Sequence, residues 1–82
     1  MKSLEVIKDT ANKVYEYNLK KIKEAPTEQY VKDHYEYFNA YANGVSMTFR
    51  IMAENEEISF DTYKELDEYL ESLRDELGKY YF

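Results

Sequence analysis

The chain has 82 residues, with 17 acidic against 11 basic side chains, one histidine and neither cysteine nor tryptophan, so a single small acidic domain over residues 1–82 is expected. The missing cysteines exclude a disulfide framework, a thiolate metal cluster and a cysteine nucleophile, which leaves packing alone to hold the fold. No apolar run approaches the roughly 18–20 residues that cross a bilayer, and Lys2, Glu5, Lys8 and Asp9 interrupt any signal-peptide core, so a cytoplasmic location is expected.

From residue 3 to residue 25, Leu4, Ile7, Ala11, Val14, Tyr15, Leu19 and Ile22 recur at three- and four-residue spacing, the pattern of an amphipathic helix. Lys20, Lys21 and Lys23 lie near its negative end, and Pro26 should stop it at Glu24 or Ala25. The next stretch supports two readings. Tyr30, His34, Tyr37 and Tyr41 would line a helix, but Tyr35, Tyr37, Asn39 and Tyr41 also alternate as a strand does. Val45, Met47, Phe49 and Ile51 alternate with Ser46, Thr48, Arg50 and Met52, and Asn43-Gly44 is a strong hairpin signal. The sequence therefore reads as a hairpin over 34–52 and, after the polar turn Glu54-Asn55-Glu56-Glu57, a short strand over 58–60.

Helical spacing returns from Thr62 with Tyr63, Leu66, Leu70, Leu73, Leu77 and Tyr80, giving a helix over 61–78. Either Asp61 or Thr62 would cap its start, and Gly78 suits its end. The expected fold is α+β, a two-layer α-βββ-α arrangement with a three-stranded antiparallel meander; the alternative is a three-helix bundle. Phe49, Ile51, Phe60, Leu66, Leu70, Leu73, Leu77, Ile7, Val14 and Ile22 are the expected core.

Catalytic chemistry finds little support. His34 alone cannot supply the three or four ligands of a zinc site and reads as a surface or strand-edge residue. The serines lie in no nucleophile-elbow context, and Gly44 and Gly78 form no phosphate-binding loop. The Glu54–Glu57 turn lacks the alternating oxygen ligands and central glycine of a calcium loop. Neither a metal nor another cofactor is expected, and the chain does not read as an enzyme.

Two features stand apart. Residues 1–32 carry seven lysines against five acids, whereas residues 33–82 carry four basic against twelve acidic groups. Asp61, Glu65, Asp67, Glu68, Glu71, Asp75 and Glu76 crowd the last helix at about one per 3.6 Å, close to the per-strand phosphate density of a duplex. Such a surface repels nucleic acid and anionic membranes and attracts basic protein surfaces. The second feature is tyrosine, ten in 82 residues; helical or strand geometry cannot bury all of Tyr15 with Tyr17, Tyr35 with Tyr37, and Tyr80 with Tyr81, so some are expected to be exposed.

The run from Tyr35 through Leu73, with Tyr41-Ala42-Asn43-Gly44 as a turn, a second strand containing Arg50, and Ile58-Ser59-Phe60-Asp61 leading into an acidic helix, resembles the layout of some small phage-encoded anti-CRISPR proteins. It covers about half the chain; the lysine-bearing first helix has no counterpart in it. The resemblance implies a DNA-mimicking inhibitor of phage or mobile-element origin, acting in the cytoplasm of a bacterial host. Its partner would be the basic nucleic-acid-binding surface of a larger complex of the CRISPR-Cas type, with no direct contact to nucleic acid or membrane. The partner-binding residues expected on this reading are Glu54, Glu56, Glu57, Asp67, Glu68, Glu71, Asp75 and Tyr69. The alternative is a non-catalytic structural protein that self-associates, as a homodimer, through exposed aromatics such as Tyr80, Tyr81 and Phe82.

Overall fold

A computed structural model describes residues 2–80. It contains three helices, α1 (Lys2–Lys23), α2 (Glu28–Glu54) and α3 (Phe60–Gly78), and no strand among the described residues. The outer helices follow the sequence periodicity to within two residues at each end. Between them the expected α+β fold is wrong: hairpin and third strand are absent, and the arrangement is the three-helix alternative.

The physical reason lies in α2. His34, Phe38, Ala42, Phe49 and Ala53 are its buried residues, and a separation of four or seven places all of them on one helical stripe. Burying Phe38 and Phe49 on that stripe is worth about 1.5–3 kcal/mol each, more than the β-preference of the alternating run Val45–Met52 could supply. The hairpin signal fails because Asn43-Gly44 sits in mid-helix with no positive φ at the glycine. Asn43 is instead a surface residue whose Oδ1 accepts from Arg74 Nη2 of α3 at 2.9 Å.

The ends of α2 carry recognisable stop and start chemistry. At its N-terminus Thr27 is extended (φ −142°) and its hydroxyl accepts from Tyr30 N at 3.1 Å. At its C-terminus Glu57 N reaches Met52 O at 2.9 Å and Glu56 N reaches Ala53 O at 3.1 Å, with Glu56 left-handed at φ 62°. This is a Schellman motif that has glutamate where glycine is the usual residue. The expected strand over 58–60 is the entry to α3, where neither Asp61 nor Thr62 but Ser59 is the N-cap, its Oγ accepting from Thr62 N at 3.1 Å.

Asn18 and Tyr15 meet His34 and Phe38, and Asn43 and Ser46 meet Arg74 and Asp67, so consecutive helices run antiparallel. α1 and α3 are parallel, with Lys8 at Glu65 and Lys23 at Tyr80, and all three helices pack on one another. Phe38, Leu66, Leu70 and Leu77 are the largest side chains fully withdrawn from water, and Tyr15 meets the Phe38 ring edge-on at 6.2 Å between centroids. Leu66, Leu70, Leu73, Leu77, Phe49 and Ile22 of the expected core are buried, and Ile7 and Val14 pack against them half-buried. Ile51 and Phe60 are not core: they are 50% and 54% exposed. Strand alternation would put Ile51 on the same side as Phe49, but on a helix two residues turn it roughly 200° away.

Candidate protein-binding face

Helix α3 divides its acids by direction. Leu66, Leu70, Leu73 and Leu77 face the core, so Asp61, Glu68, Glu71 and Asp75, turned roughly 140–180° from that stripe, share the outer face. All four are exposed, and among the described residues none of them forms an ion pair. Lys64, also exposed, stands between Asp61 and Glu68 on this face and is likewise unpaired among the described residues.

The remaining acids of α3 are engaged within the molecule. Glu65 meets Lys8 Nζ of α1 at 3.2 Å, and Glu76 meets Lys79 Nζ at 2.8 Å. Asp67, expected among the partner-binding residues, lies half-buried on the α2 side and accepts a 2.6 Å hydrogen bond from Ser46 Oγ. Tyr69 faces α1, half-buried, with Lys8 Nζ 5.4 Å from its ring centre. Asp67 and Tyr69 are therefore seam residues and do not join the outer face. The free charge along α3 is four acids over about 21 Å, sparser than one strand of a duplex.

Glu54, Glu56 and Glu57 are exposed at the α2–α3 turn, next to the start of the acidic face. Glu54 is shared with Arg50 at 3.2 Å, both half-exposed, so that pair is worth little. The three glutamates rim an open groove of about 520 Å³ with Ala53, Ile58, Ser59 and Phe60. The groove offers no histidine, lysine or arginine to pair with a carboxylate in acid-base work. Among the described residues, no three His, Asp or Glu side chains converge to hold a metal ion.

His34 departs from the expected surface position. It is 8% exposed, and its Nδ1 lies 3.0 Å from Oδ1 of Asn18, itself 3% exposed. The rings of Tyr30, Tyr37 and Tyr17 surround it at 4.5, 5.1 and 6.4 Å. Sequence reasoning missed Asn18, although a polar residue between Ala11 and Ile22 on the apolar stripe of α1 is a signal that something buried requires it.

The tyrosine pairs divide as expected: Tyr17 and Tyr37 are each 59% exposed, while Tyr15 and Tyr35 pack against the core. Tyr80 is 46% exposed with Lys23 Nζ 5.5 Å from its ring centre; Tyr81 and Phe82 lie outside the described residues. No helix among the described residues is long and apolar enough to cross a membrane. Comparison of the chain with protein families, with curated proteins and with solved structures found no match.

Proposed function

We propose that the chain is a non-catalytic, acidic protein ligand that binds a basic, nucleic-acid-handling surface of a larger protein complex through the outer face of α3. The observation that carries this reading is the row Glu68, Glu71 and Asp75, exposed, four or fewer residues apart and without internal counter-ions among the described residues. Like charges at that spacing weaken a helix by a few tenths of a kcal/mol per pair. An electropositive surface removes that cost on binding and gains from steering at a distance.

The turn supports the same reading. Glu56 is left-handed, a conformation that costs a non-glycine residue roughly 1–2 kcal/mol. With Glu54 and Glu57 it extends the negative face beyond the start of α3. The free charge is sparser than the sequence suggested, so the proposal is one of matching a basic surface and not of copying duplex geometry. The hairpin layout behind the anti-CRISPR resemblance is absent, and a CRISPR-Cas-type complex in a bacterial cytoplasm is accordingly one member of the partner class.

The test is capture from bacterial lysate by the tagged full chain at low and high salt, with and without added duplex DNA. Recovery of nucleic-acid-handling proteins that are released by salt and by DNA is the expected result. Recovery that neither treatment alters would overturn the proposal.

A further inference from the structure

The outward side of α2 is unlike the rest of the molecule. The chain is 34% charged, yet residues 37–49 contain no charged side chain. Tyr37, Ala40, Gly44, Met47, Thr48 and Ile51 are all exposed there, and helical geometry places them within an arc of roughly 100° on the side opposite Phe38, Ala42 and Phe49. Met47 is 53% and Ile51 50% exposed. An open groove of about 470 Å³ borders the strip, lined by Ile7, Tyr41, Val45 and Phe49 with Ala40 and Gly44.

Two details fit this strip to a dry contact. Thr48 turns its hydroxyl onto Gly44 O at 2.9 Å, so it needs no hydrogen bond from water. Gly44 has no reason within the monomer: a Cβ there would meet nothing within 4 Å, and its φ is not positive. A mid-helix glycine is unfavourable relative to alanine, whereas it lets a second backbone approach closely.

The charges bordering the strip identify the occupant. Lys32 and Glu36 precede it, Arg50 and Glu54 follow it, and all four lie along the same edge. When a second α2 is laid antiparallel about a two-fold axis at residue 43, this edge of one copy meets the same edge of the other. Residue 43−k then stands opposite residue 43+k. Glu36 meets Arg50 of the second copy and Lys32 meets its Glu54, four opposite-charge pairs in all by symmetry. A self-complementary patch of this kind is what a two-fold interface requires.

We propose that two copies of this chain associate antiparallel through the outer face of α2, with Gly44 at the contact of the two backbones. The strip from residue 32 to residue 54 is about 33 Å long and one helix wide, at the small end of specific interfaces, so a dimer of micromolar strength is expected. The α3 acids Asp61, Glu68, Glu71 and Asp75 take no part; Glu54 alone belongs to both surfaces, and either proposal stands if the other fails.

Sedimentation equilibrium of the full chain between roughly 1 and 500 μM tests this, the range following from the interface size. The wild type should pass from monomer to dimer. Gly44→Leu, whose Cβ meets nothing within 4 Å in the monomer, should raise the dissociation constant roughly tenfold or more while the monomer stays helical by dichroism and melts no lower than the wild type. Arg50→Glu should also weaken the dimer, and combining it with Glu36→Arg should restore it. A wild type that stays monomeric over the whole range, or a dimer indifferent to both Gly44→Leu and Arg50→Glu, would overturn the proposal.

Discussion

His34 Nδ1 of α2 and Asn18 Oδ1 of α1 form a buried 3.0 Å hydrogen bond whose polarity is fixed by its surroundings. Asn18 Nδ2 donates to Val14 O at 2.9 Å, which turns the amide oxygen toward the imidazole. An amide oxygen only accepts, so Nδ1 of His34 must carry a proton. The expected outcome in nitrogen NMR of the folded protein is a protonated Nδ1 on His34. Asn18→Ala leaves that N–H without its partner and should cost about 1–3 kcal/mol in urea unfolding. A variant as stable as the wild type would show that water replaces the amide.

The core makes a second expectation. Leu70 is 1% exposed among Leu66, Leu73, Leu77 and Phe38. Leu70→Ala should destabilise by about 2–5 kcal/mol, a large share of what so small a domain possesses. Denaturant unfolding read by dichroism checks the value, and a loss below about 1 kcal/mol would mean that the three helices close over the cavity.

The α2–α3 turn should show stability and binding moving in opposite directions. Glu56→Gly removes the left-handed strain at φ 62° and should stabilise the fold by about 1 kcal/mol. It also deletes a charge from the acidic surface and should weaken capture of a basic partner modestly, as exposed carboxylates do. Ser59→Ala, which removes the hydroxyl acceptor of Thr62 N, should cost about 0.5–2 kcal/mol. Melting curves of the two variants should therefore shift in opposite senses.

Alkaline pH should weaken the fold. Burial raises the hydroxyl pKa of Tyr15 above the ordinary 10.0, aided by the Glu76 charge, and burial alone raises that of Tyr41. Below about pH 10 both states hold these protons and stability is unaffected; above it the unfolded chain loses them first, so stability falls as pH rises toward the folded values. Urea midpoints measured from about pH 9 to about pH 11 should decline, and Tyr15→Phe combined with Tyr41→Phe should flatten the decline.

The sequence showed α1 and α3 because their apolar residues keep one period and nothing local competes with it. Leu66, Leu70, Leu73 and Leu77 can be assigned to the core directly from their spacing. α2 was obscured because Val45 to Met52 satisfies two periods at once, and because Asn43-Gly44 carries a turn signal that burial of Phe38, Ala42 and Phe49 outweighs. The hidden period also misplaced Ile51 and His34, and reading 58–60 as a strand misplaced Phe60. Of the acidic face, Glu68, Glu71 and Asp75 were legible as expected partner-binding residues of the last helix. The loss of Asp67 and Tyr69 to the seams was not, since it depends on Ser46 and Lys8, which come from other helices.

The claim that the outer face of α3 is the binding surface is tested most directly by changing Glu68, Glu71 and Asp75 together to lysine. Capture from lysate by this variant is then compared quantitatively with capture by the wild type. The three side chains are exposed and free of ion pairs among the described residues, so the variant should remain helical by dichroism and melt near the wild type. Binding through this face predicts loss of the salt- and DNA-sensitive partners. A folded variant that still recovers the same proteins to the same extent would contradict it and leave the stripe as a solubilising surface.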